Sequence, residues 1–284
     1  GSEMRREMSE QEEKQPDKSG YIYKINHYKE FEKHMERLGR RHGLSRVFND
    51  MLTMAICSFH QIKFIEQNVH AFEKENEELY LNTIKAYDKD EVSVFPKLVA
   101  HMQMQVIKEP YSDILGEYFT EHITQGHIGQ FFTPQPVCEM MALLHGKPGE
   151  VKSKNINDPA CGSGRMLLAF AKLNPDNHFY ASDNSATCAK MTTINFFLNG
   201  LRGEVAWQNS LSQEWYGAWR TNTYFKFSMP GIMPLKPEES VLYSRPVKEI
   251  EEKRFTEPLK LLSEAKSLQR KNKPEQGHQT SLGF

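Results

Sequence analysis

Long apolar runs are missing from this 284-residue sequence. No stretch approaches the ~18 consecutive apolar residues that a membrane-spanning helix requires. No signal peptide precedes the main body of the chain either. We therefore expect a cytoplasmic protein that does not associate with membranes.

Paired cysteines are missing as well. The four cysteines are scattered along the chain, without a CxxC pair and without the Cys/His spacing of zinc sites. This pattern is typical of reduced thiols. We therefore predict neither disulfide bonds nor a metal site.

An excess of charge of either sign is also absent. The chain has 36 lysines and arginines against 37 aspartates and glutamates, which leaves a formal net charge of −1. No broad positive field is therefore available to attract nucleic acid. Binding to DNA would have to rely on a local patch or on a partner subunit.

The sequence does contain enough apolar material for a core, with 38% hydrophobic residues. Gly1 and Ser2 are typical of a cloning remnant, and we expect the charged, polar residues 1–19 to be disordered. A charged helix followed by a polar tail is expected over 246–284. The folded part of the chain should therefore lie between these two terminal segments.

The first part of that folded region has a helical pattern. Between residues 20 and 125, apolar residues such as Phe31 and Met35 recur every three or four positions. Few β-branched runs and no hairpin signal interrupt them. We predict an all-helical N-terminal domain, with Gly39 and Gly43 dividing its first part into two helices.

The second part, residues 126–245, alternates between two kinds of segment. The strand-like segments are NINDPA, NHFYASD, EVAWQNSL and TYFKFSM, and the helix-like ones are PVCEMMALLHG, GRMLLAFAKL and SATCAKMTTINFFLNG. Alternation of this kind predicts an α/β fold in which helices cover a parallel sheet.

One loop in this α/β region has the composition of a ligand-binding turn. Gly162 and Gly164 join a predicted strand to a predicted helix, where backbone N–H groups can face a ligand. Asp158 ends that strand. Asp183 ends the next one, 19 residues beyond Gly164, a spacing at which an acidic side chain reaches ribose hydroxyls. The loop lacks the third glycine of a pyrophosphate pattern, which favours S-adenosylmethionine over NAD; glycine used for chain geometry alone is the alternative.

Three motifs together resemble a known family. They are GQFFTP at 129–134, DPACGSG at 158–164, and SD followed by a helix that ends in NFFLNG at 195–200. In this order they resemble the adenine-specific (N6) DNA methyltransferases, and in particular the modification subunits of type I restriction-modification systems. The resemblance covers residues 111–228. It implies a Rossmann-like, class I S-adenosylmethionine-dependent methyltransferase sheet after the helical domain.

The resemblance also implies which residues hold the cofactor, S-adenosylmethionine or S-adenosylhomocysteine. The FTP segment would hold the methionine carboxylate, Asp158 would face the amine, and Asp183 would bind the ribose hydroxyls. Asn209 stands where such enzymes commonly have an aspartate near the adenine. The full implied set is Gln130, Phe132, Thr133, Pro134, Asp158, Ala160, Cys161, Gly162, Ser163, Gly164, Asp183, Asn184, Asn209, Ser210 and Leu211.

The tetrapeptide that carries catalysis in this family is missing. The family uses Asn/Asp-Pro-Pro-Tyr/Phe to hydrogen-bond and stack the flipped adenine, and no such tetrapeptide occurs in the sequence. Met229, Pro230, Gly231 and Ile232 stand at the expected position. Methionine cannot orient an amino group by hydrogen bonding and isoleucine has no aromatic face, so we predict no intact catalytic site.

The chain is also short for the family after this position. We therefore expect a sheet that is incomplete at its C-terminal end or completed in an unusual way. Three functions stay open: a cofactor-binding accessory or regulatory subunit with impaired catalysis, an active adenine methyltransferase with a diverged catalytic loop, or a non-enzymatic interaction module. DNA would be reached through a specificity-type partner subunit, and we expect a protein partner or a homo-oligomer.

Overall fold

The computed structural model describes residues 20, 23–61, 69–124 and 132–243, with the backbone alone for 69–73. The predictions for 1–19, for Gln130 and for 246–284 fall outside these ranges. Everything below concerns the described residues.

Helices make up the first half of the described chain. Their bounds are α1 His27–His42, α2 Leu44–Ser58, α3 Val69–Ile84, α4 Lys89–Val92, α5 Phe95–Lys108 and α6 Ile114–Tyr118, with a π-helical turn over Phe119–Thr124. The helices predicted for this part are present, while its separation as a domain stays a prediction. No helix within the described ranges is long and apolar enough to cross a membrane.

The boundaries of α1 follow from local chemistry. Asn26 caps the helix, because its side chain accepts a hydrogen bond from the backbone N–H of Lys29 at 3.0 Å. Gly43, with φ +83°, separates α1 from α2 as predicted. The break predicted at Gly39 is wrong. Gly39 lies inside α1, where an added β-carbon would stand 2.3 Å from Cδ2 of Leu44, so this glycine permits close packing.

The second half of the described chain alternates helices and strands. Their bounds are α7 Gln135–His145, β1 Asn155–Asp158, α8 Arg165–Leu173, β2 His178–Asp183, α9 Ala186–Leu198, β3 Gly203–Asn209, β4 Glu214–Thr221 and β5 Ile232–Leu235. Every helix predicted in this half is present, and so are the first three predicted strands.

The fourth predicted strand, TYFKFSM, is wrong. Residues 223–229 form a loop with a short 3-10 turn over Phe225–Phe227. Asn222 and Ser228 bound this turn with φ values of +54° and +59°, in the left-handed region that no extended strand uses. Phe225 and Phe227, two of the aromatic residues that suggested a strand, are exposed. Strands β4 and β5, which flank the loop, were not predicted.

The five strands form one mixed sheet in the order β1-β2-β3-β4-β5. Strands β1, β2 and β3 are parallel, as predicted, whereas β4 and β5 each run antiparallel to the preceding neighbour. The α/β class is confirmed, but the sheet is not parallel throughout. The antiparallel hairpin extends the sheet on the β3 side. Strand β1 lies at the other edge, paired with β2 on one side and with no described strand on its outer side.

Helix α9 connects the helical layer to the sheet. Its Cys188 and Met191 belong to an apolar cluster with helices α1, α2, α5 and α6. Its Ala189 and Phe196 belong to a second cluster with α7, α8 and strands β2 and β3. Because both faces of α9 are buried, it shows little of the one-sided apolar pattern of a surface helix. The helix therefore holds the α1–α6 layer against the carboxyl-terminal half of the fold.

Candidate functional site

The glycine loop, residues 158–164 between β1 and α8, is tightly packed on two sides. Gly162 and Gly164 have φ values of +55° and +82°, which side chains disfavour. An added β-carbon would stand 2.9 Å from the ring of Phe132 at the first position and 2.9 Å from Cγ2 of Thr192 at the second. Both glycines are therefore required by the geometry of the loop itself, apart from any ligand.

Asp183 holds the backbone of the glycine loop in place. Its Oδ2 accepts a hydrogen bond from the N–H of Gly162 at 3.0 Å, and its Oδ1 accepts one from the N–H of Ser185 at 2.8 Å. The N–H of Cys161 donates to the carbonyl of Ser182 at 3.0 Å. The two predicted acidic strand ends thus meet at the carboxyl edge of the sheet. Each Asp183 oxygen keeps a lone pair with which it can accept from a ligand.

A cavity of about 230 Å³ brings the FTP segment and the glycine loop together. The ring of Phe132 stacks on Phe119 with centroids 5.7 Å apart, which seats the segment against the helical layer. Pro134 precedes α7 as its N-cap. The predicted cofactor residues that line the cavity are Phe132, Thr133, Asp158, Ala160, Cys161, Gly162 and Ser163.

Asp158 favours a cationic group on its side of the cavity, whose lining also includes Arg165, paired with Asp113. Burial raises the pKa of the Asp158 carboxyl, and the nearby Asp183 carboxylate adds to the rise. A positive group beside Asp158 would favour the ionised carboxylate and offset both effects. Burial also raises the pKa of the Cys161 thiol well above its usual range, so this cysteine stays protonated and is not a nucleophile.

Asn209, Ser210 and Leu211 lie at the same edge of the sheet but do not line the cavity. The side-chain oxygen of Asn209 accepts from the backbone N–H of Leu211 at 3.0 Å. The hydroxyl of Ser210 donates to the carbonyl of Pro159 at 3.0 Å, which ties this turn to the glycine loop. These residues therefore shape the turn after β3.

Asn184 has aromatic neighbours that the sequence analysis missed. The indole N–H of Trp207 donates to the Asn184 carbonyl at 3.1 Å. The ring of Tyr216 lies 5.0 Å from that indole. The sequence feature that could have indicated these neighbours is the presence of aromatic residues in EVAWQNSL and in the segment that forms β4. The Asp183 end of β2 is thus followed by two partly exposed aromatic side chains, Trp207 and Tyr216.

Asp113 is a second residue that the sequence analysis missed, and it connects the helical layer to the glycine loop. Its carboxylate accepts from Ser163 Oγ at 2.5 Å, Arg165 Nε at 3.0 Å, Asn195 Nδ2 at 2.8 Å and the N–H of Gly116 at 2.9 Å. The Asp113 side chain is 4% exposed. A cap at the start of α6 was predictable from the position of Asp113, but its distant partners were not.

Comparison with known proteins identifies the segment that carries this site. The family model described as N-6 DNA Methylase matches residues 103–227. That range contains Asp113, the cavity and the glycine loop. Residues 103–227 are therefore similar to the N-6 DNA methylases. This similarity supports the family predicted from the three sequence motifs.

Individual relatives give the extent of the similarity. The methylase subunit of type I restriction enzyme MjaVIII from Methanocaldococcus jannaschii is 29% identical over 134 residues, which are 46% of this chain and 21% of that protein. The crystal structure of the type I restriction-modification system methyltransferase subunit from Streptococcus thermophilus has a TM-score of 0.30 at 18% identity, over 60% of this chain and 37% of that one. The chain thus spans about a fifth of the length of the curated methylase relative.

The catalytic position expected at 229–232, just beyond the matched segment, lies at the far end of the sheet from the glycine loop. Strand β4 pairs Glu214 with Asn209 at the carboxyl end of β3, and Thr221 with Gly203 at its amino end. Residues 229–232 follow the turn after Thr221. Since β3 has seven residues, they lie about 20 Å from the edge that carries the cavity.

The residues at this catalytic position form structural contacts instead. The Met229 carbonyl accepts from Nε2 of Gln61 at 3.0 Å, and the Gly231 carbonyl accepts from the N–H of Asn222 at 2.8 Å. A β-carbon on Gly231 would stand 2.5 Å from Cβ of Gln61. Ile232 is fully buried at the start of β5. The segment 229–232 therefore packs against the chain that follows α2.

Proposed function

We propose that this chain is an S-adenosylmethionine-binding member of the N-6 DNA methylase family that does not transfer the methyl group itself. It acts as an accessory or regulatory subunit of the type I restriction-modification kind. The observation that carries the proposal is that the FTP segment and the glycine loop line the same cavity, beside Asp158.

The groups around the cavity suit the amino-acid end of the cofactor. The Asp158 carboxylate would accept from the amino group, and the Thr133 hydroxyl together with loop N–H groups would donate to the carboxylate. Gly162 leaves room for the Phe132 ring, which forms part of the cavity wall. The cavity of about 230 Å³ is below the ~300–1,000 Å³ of whole-ligand pockets. The nucleoside would therefore extend over the open edge near Asp183 and Asn184.

The binding prediction concerns Asp158. Isothermal titration of the full chain with S-adenosylmethionine and S-adenosylhomocysteine is expected to show one site. Asp158→Asn should weaken binding about 10- to 100-fold, because it removes a charge-assisted hydrogen bond of roughly 1.5–3 kcal/mol. Asp176→Asn, at an exposed carboxylate outside the cavity, is the matched control and should bind like the wild type.

The pH dependence separates a direct contact from a structural effect. Because the pKa of Asp158 is raised, protonation removes its charge at a higher pH than for an ordinary aspartate. Affinity should therefore fall on acidification, beginning at a higher pH than an ordinary aspartate would give, and this fall should be absent in Asp158→Asn. No heat of binding at any pH would reject the proposal and favour the interaction module.

Two features support the absence of methyl transfer. Residues 229–232 lack the hydrogen-bonding and aromatic groups that hold a target adenine, and they stand at the opposite end of the sheet from the cavity. The family match also ends at residue 227, just before this position. Loss of one positioned transition-state contact typically lowers a rate by ~10²–10³. Loss of all these contacts leaves no group at 229–232 that could hold the target adenine for methyl transfer.

The catalytic prediction is tested with labelled S-adenosylmethionine and adenine-containing DNA. The purified chain is expected to incorporate no methyl label above a protein-free control. Met229→Asn should not change this result, because position 229 does not face the cavity and its carbonyl is held by Gln61. Label in adenine from the wild-type chain would instead support the active enzyme with a diverged loop.

Partners are part of the same proposal. With a net charge of −1, the chain lacks the positive field that holds phosphate backbones. We therefore propose that it reaches DNA through a specificity-type subunit. Under this proposal the isolated chain gives no stable DNA complex at physiological salt in a mobility-shift assay, and a stable complex would argue for direct contact.

A further inference from the structure

A cluster of imidazoles lies between α1 and α5, outside the cavity formed by the FTP segment and the glycine loop. His27, Glu30 and His34 fall at positions i, i+3 and i+7 of α1, and therefore on one face of that helix. His101 on α5 faces them. His27 is 2% exposed, while Glu30, His34 and His101 are partly exposed and reachable from solvent.

The distances within the cluster are close to those of a metal site. Donor atoms of Glu30, His34 and His101 all lie within 4.8 Å of one another. The rings of His34 and His101 are stacked with centroids 5.6 Å apart. Tetrahedral zinc with bonds of ~2.0–2.1 Å places its ligand atoms ~3.3 Å apart. The three side chains would therefore have to close by at most about 1.5 Å, which changes in side-chain torsion can supply.

His27 supports the ring of His101. The two Nδ1 atoms lie 3.2 Å apart, so one ring donates a hydrogen bond and the other accepts it. Metal-ligating histidines generally have such a partner on the second ring nitrogen, because it fixes the orientation of the ligand. A buried histidine in this position orients His101 before any ion is present.

The chemistry of the donors indicates the class of ion. Two imidazoles and one carboxylate, with a position left for water, are a common ligand set for zinc and related divalent transition metals. Magnesium and calcium prefer oxygen ligands. The nearby Lys33, Arg37 and Lys97 are the charges that oppose a cation here.

We propose that Glu30, His34 and His101 bind a divalent transition-metal ion of the zinc class, with His27 as a supporting residue. The ion joins α1 to α5 and so braces the helical layer that packs on α9. The site is independent of the cofactor cavity, so its presence or absence leaves the proposed function untouched. The prediction of no metal site rested on cysteine spacing and missed the helical His-x₂-Glu-x₃-His pattern.

The test uses the full chain after treatment with a chelator and dialysis. Titration with ZnCl₂ is expected to show one site and a rise in thermal midpoint, with no effect of MgCl₂. CoCl₂ should give the visible absorption of a tetrahedral cobalt site. His101→Ala should weaken zinc binding by more than the ~10–100-fold that loss of a supporting partner causes. His27→Ala should fall within that range, and an unchanged affinity would remove its supporting role.

Two further variants make the result specific. His178→Ala changes an exposed histidine on β2 and should leave zinc binding unchanged. His122→Ala disrupts a second group of possible ligands formed with Glu32 and Glu121. Zinc binding that survives in His101→Ala but is lost in His122→Ala would overturn the proposal. Absence of zinc binding by the wild-type chain would overturn it as well.

Discussion

Replacing Gly203 with alanine is expected to lower the free energy of unfolding by more than about 4 kcal/mol, or to prevent folding. Gly203 opens β3 and pairs with Phe179 of the neighbouring strand β2. A β-carbon built on it would stand 1.6 Å from the carbonyl oxygen of Phe179. No side-chain rotation relieves a contact with backbone, so β2 and β3 would have to separate at this point.

The matched control for this prediction is Gly217→Ala on β4. That position is also a strand glycine, but nothing lies within 4 Å of the β-carbon that alanine would add. Urea unfolding followed by circular dichroism should show a stability equal to the wild type or higher by ~0.4–1 kcal/mol, because alanine restricts the unfolded chain. Insoluble Gly203→Ala beside soluble Gly217→Ala supports the prediction. A Gly203→Ala protein within about 1 kcal/mol of the wild type contradicts it.

The second large effect is expected at Asp113. Asp113→Ala removes a buried carboxylate and leaves the hydroxyl of Ser163 and the guanidinium of Arg165 without this acceptor. The Asn195 amide keeps only its bond to the Ser163 carbonyl. Breaking a buried ion pair from one side typically lowers stability by ~3–5 kcal/mol. We expect about 3 kcal/mol, near the low end of that range, because the Arg165 side chain is 16% exposed and can turn toward water.

The Asp113 network also predicts a functional change. Ser163 belongs to the glycine loop, so loss of its partner should displace the loop and weaken cofactor binding as well as lower the urea midpoint. Asp113→Asn keeps one acceptor oxygen and should lose less stability than Asp113→Ala. Asp176→Ala, at an exposed carboxylate, should change neither property. Equal losses of stability in Asp113→Ala and Asp176→Ala would show that the hydrogen bonds of Asp113 do not contribute to stability.

Local pattern predicted much of the fold. Strands β1 to β3 and helices α7 to α9 were predictable because each is a short segment with its own apolar period and a clear terminating residue. The glycine loop was visible for the same reason. Gly39 was misjudged since its packing against Leu44 depends on how two helices meet, which periodicity does not report.

Contacts between distant segments could not be predicted from pattern. The antiparallel β4–β5 hairpin has a ten-residue connection without a tight-turn signature, and its register follows from the pairing of Thr221 with Ile232. Asp113 acts on side chains 50 and 82 residues away. The joining of the FTP segment to the glycine loop was predicted only through family resemblance, because no local rule brings Phe132 against Gly162.

The position of β1 at the edge of the sheet determines how well the cavity end of the fold is protected. Backbone groups on the outer side of β1 meet no strand in the described residues, whereas β2 is paired on both sides. Edge strands of this kind open more often than central ones and exchange their amide hydrogens faster. Asp158 ends this strand, so the wall of the cavity that faces a positive ligand belongs to the least protected part of the parallel strands. A bound ligand would therefore act as a clamp on the sheet edge as well as an occupant of the cavity.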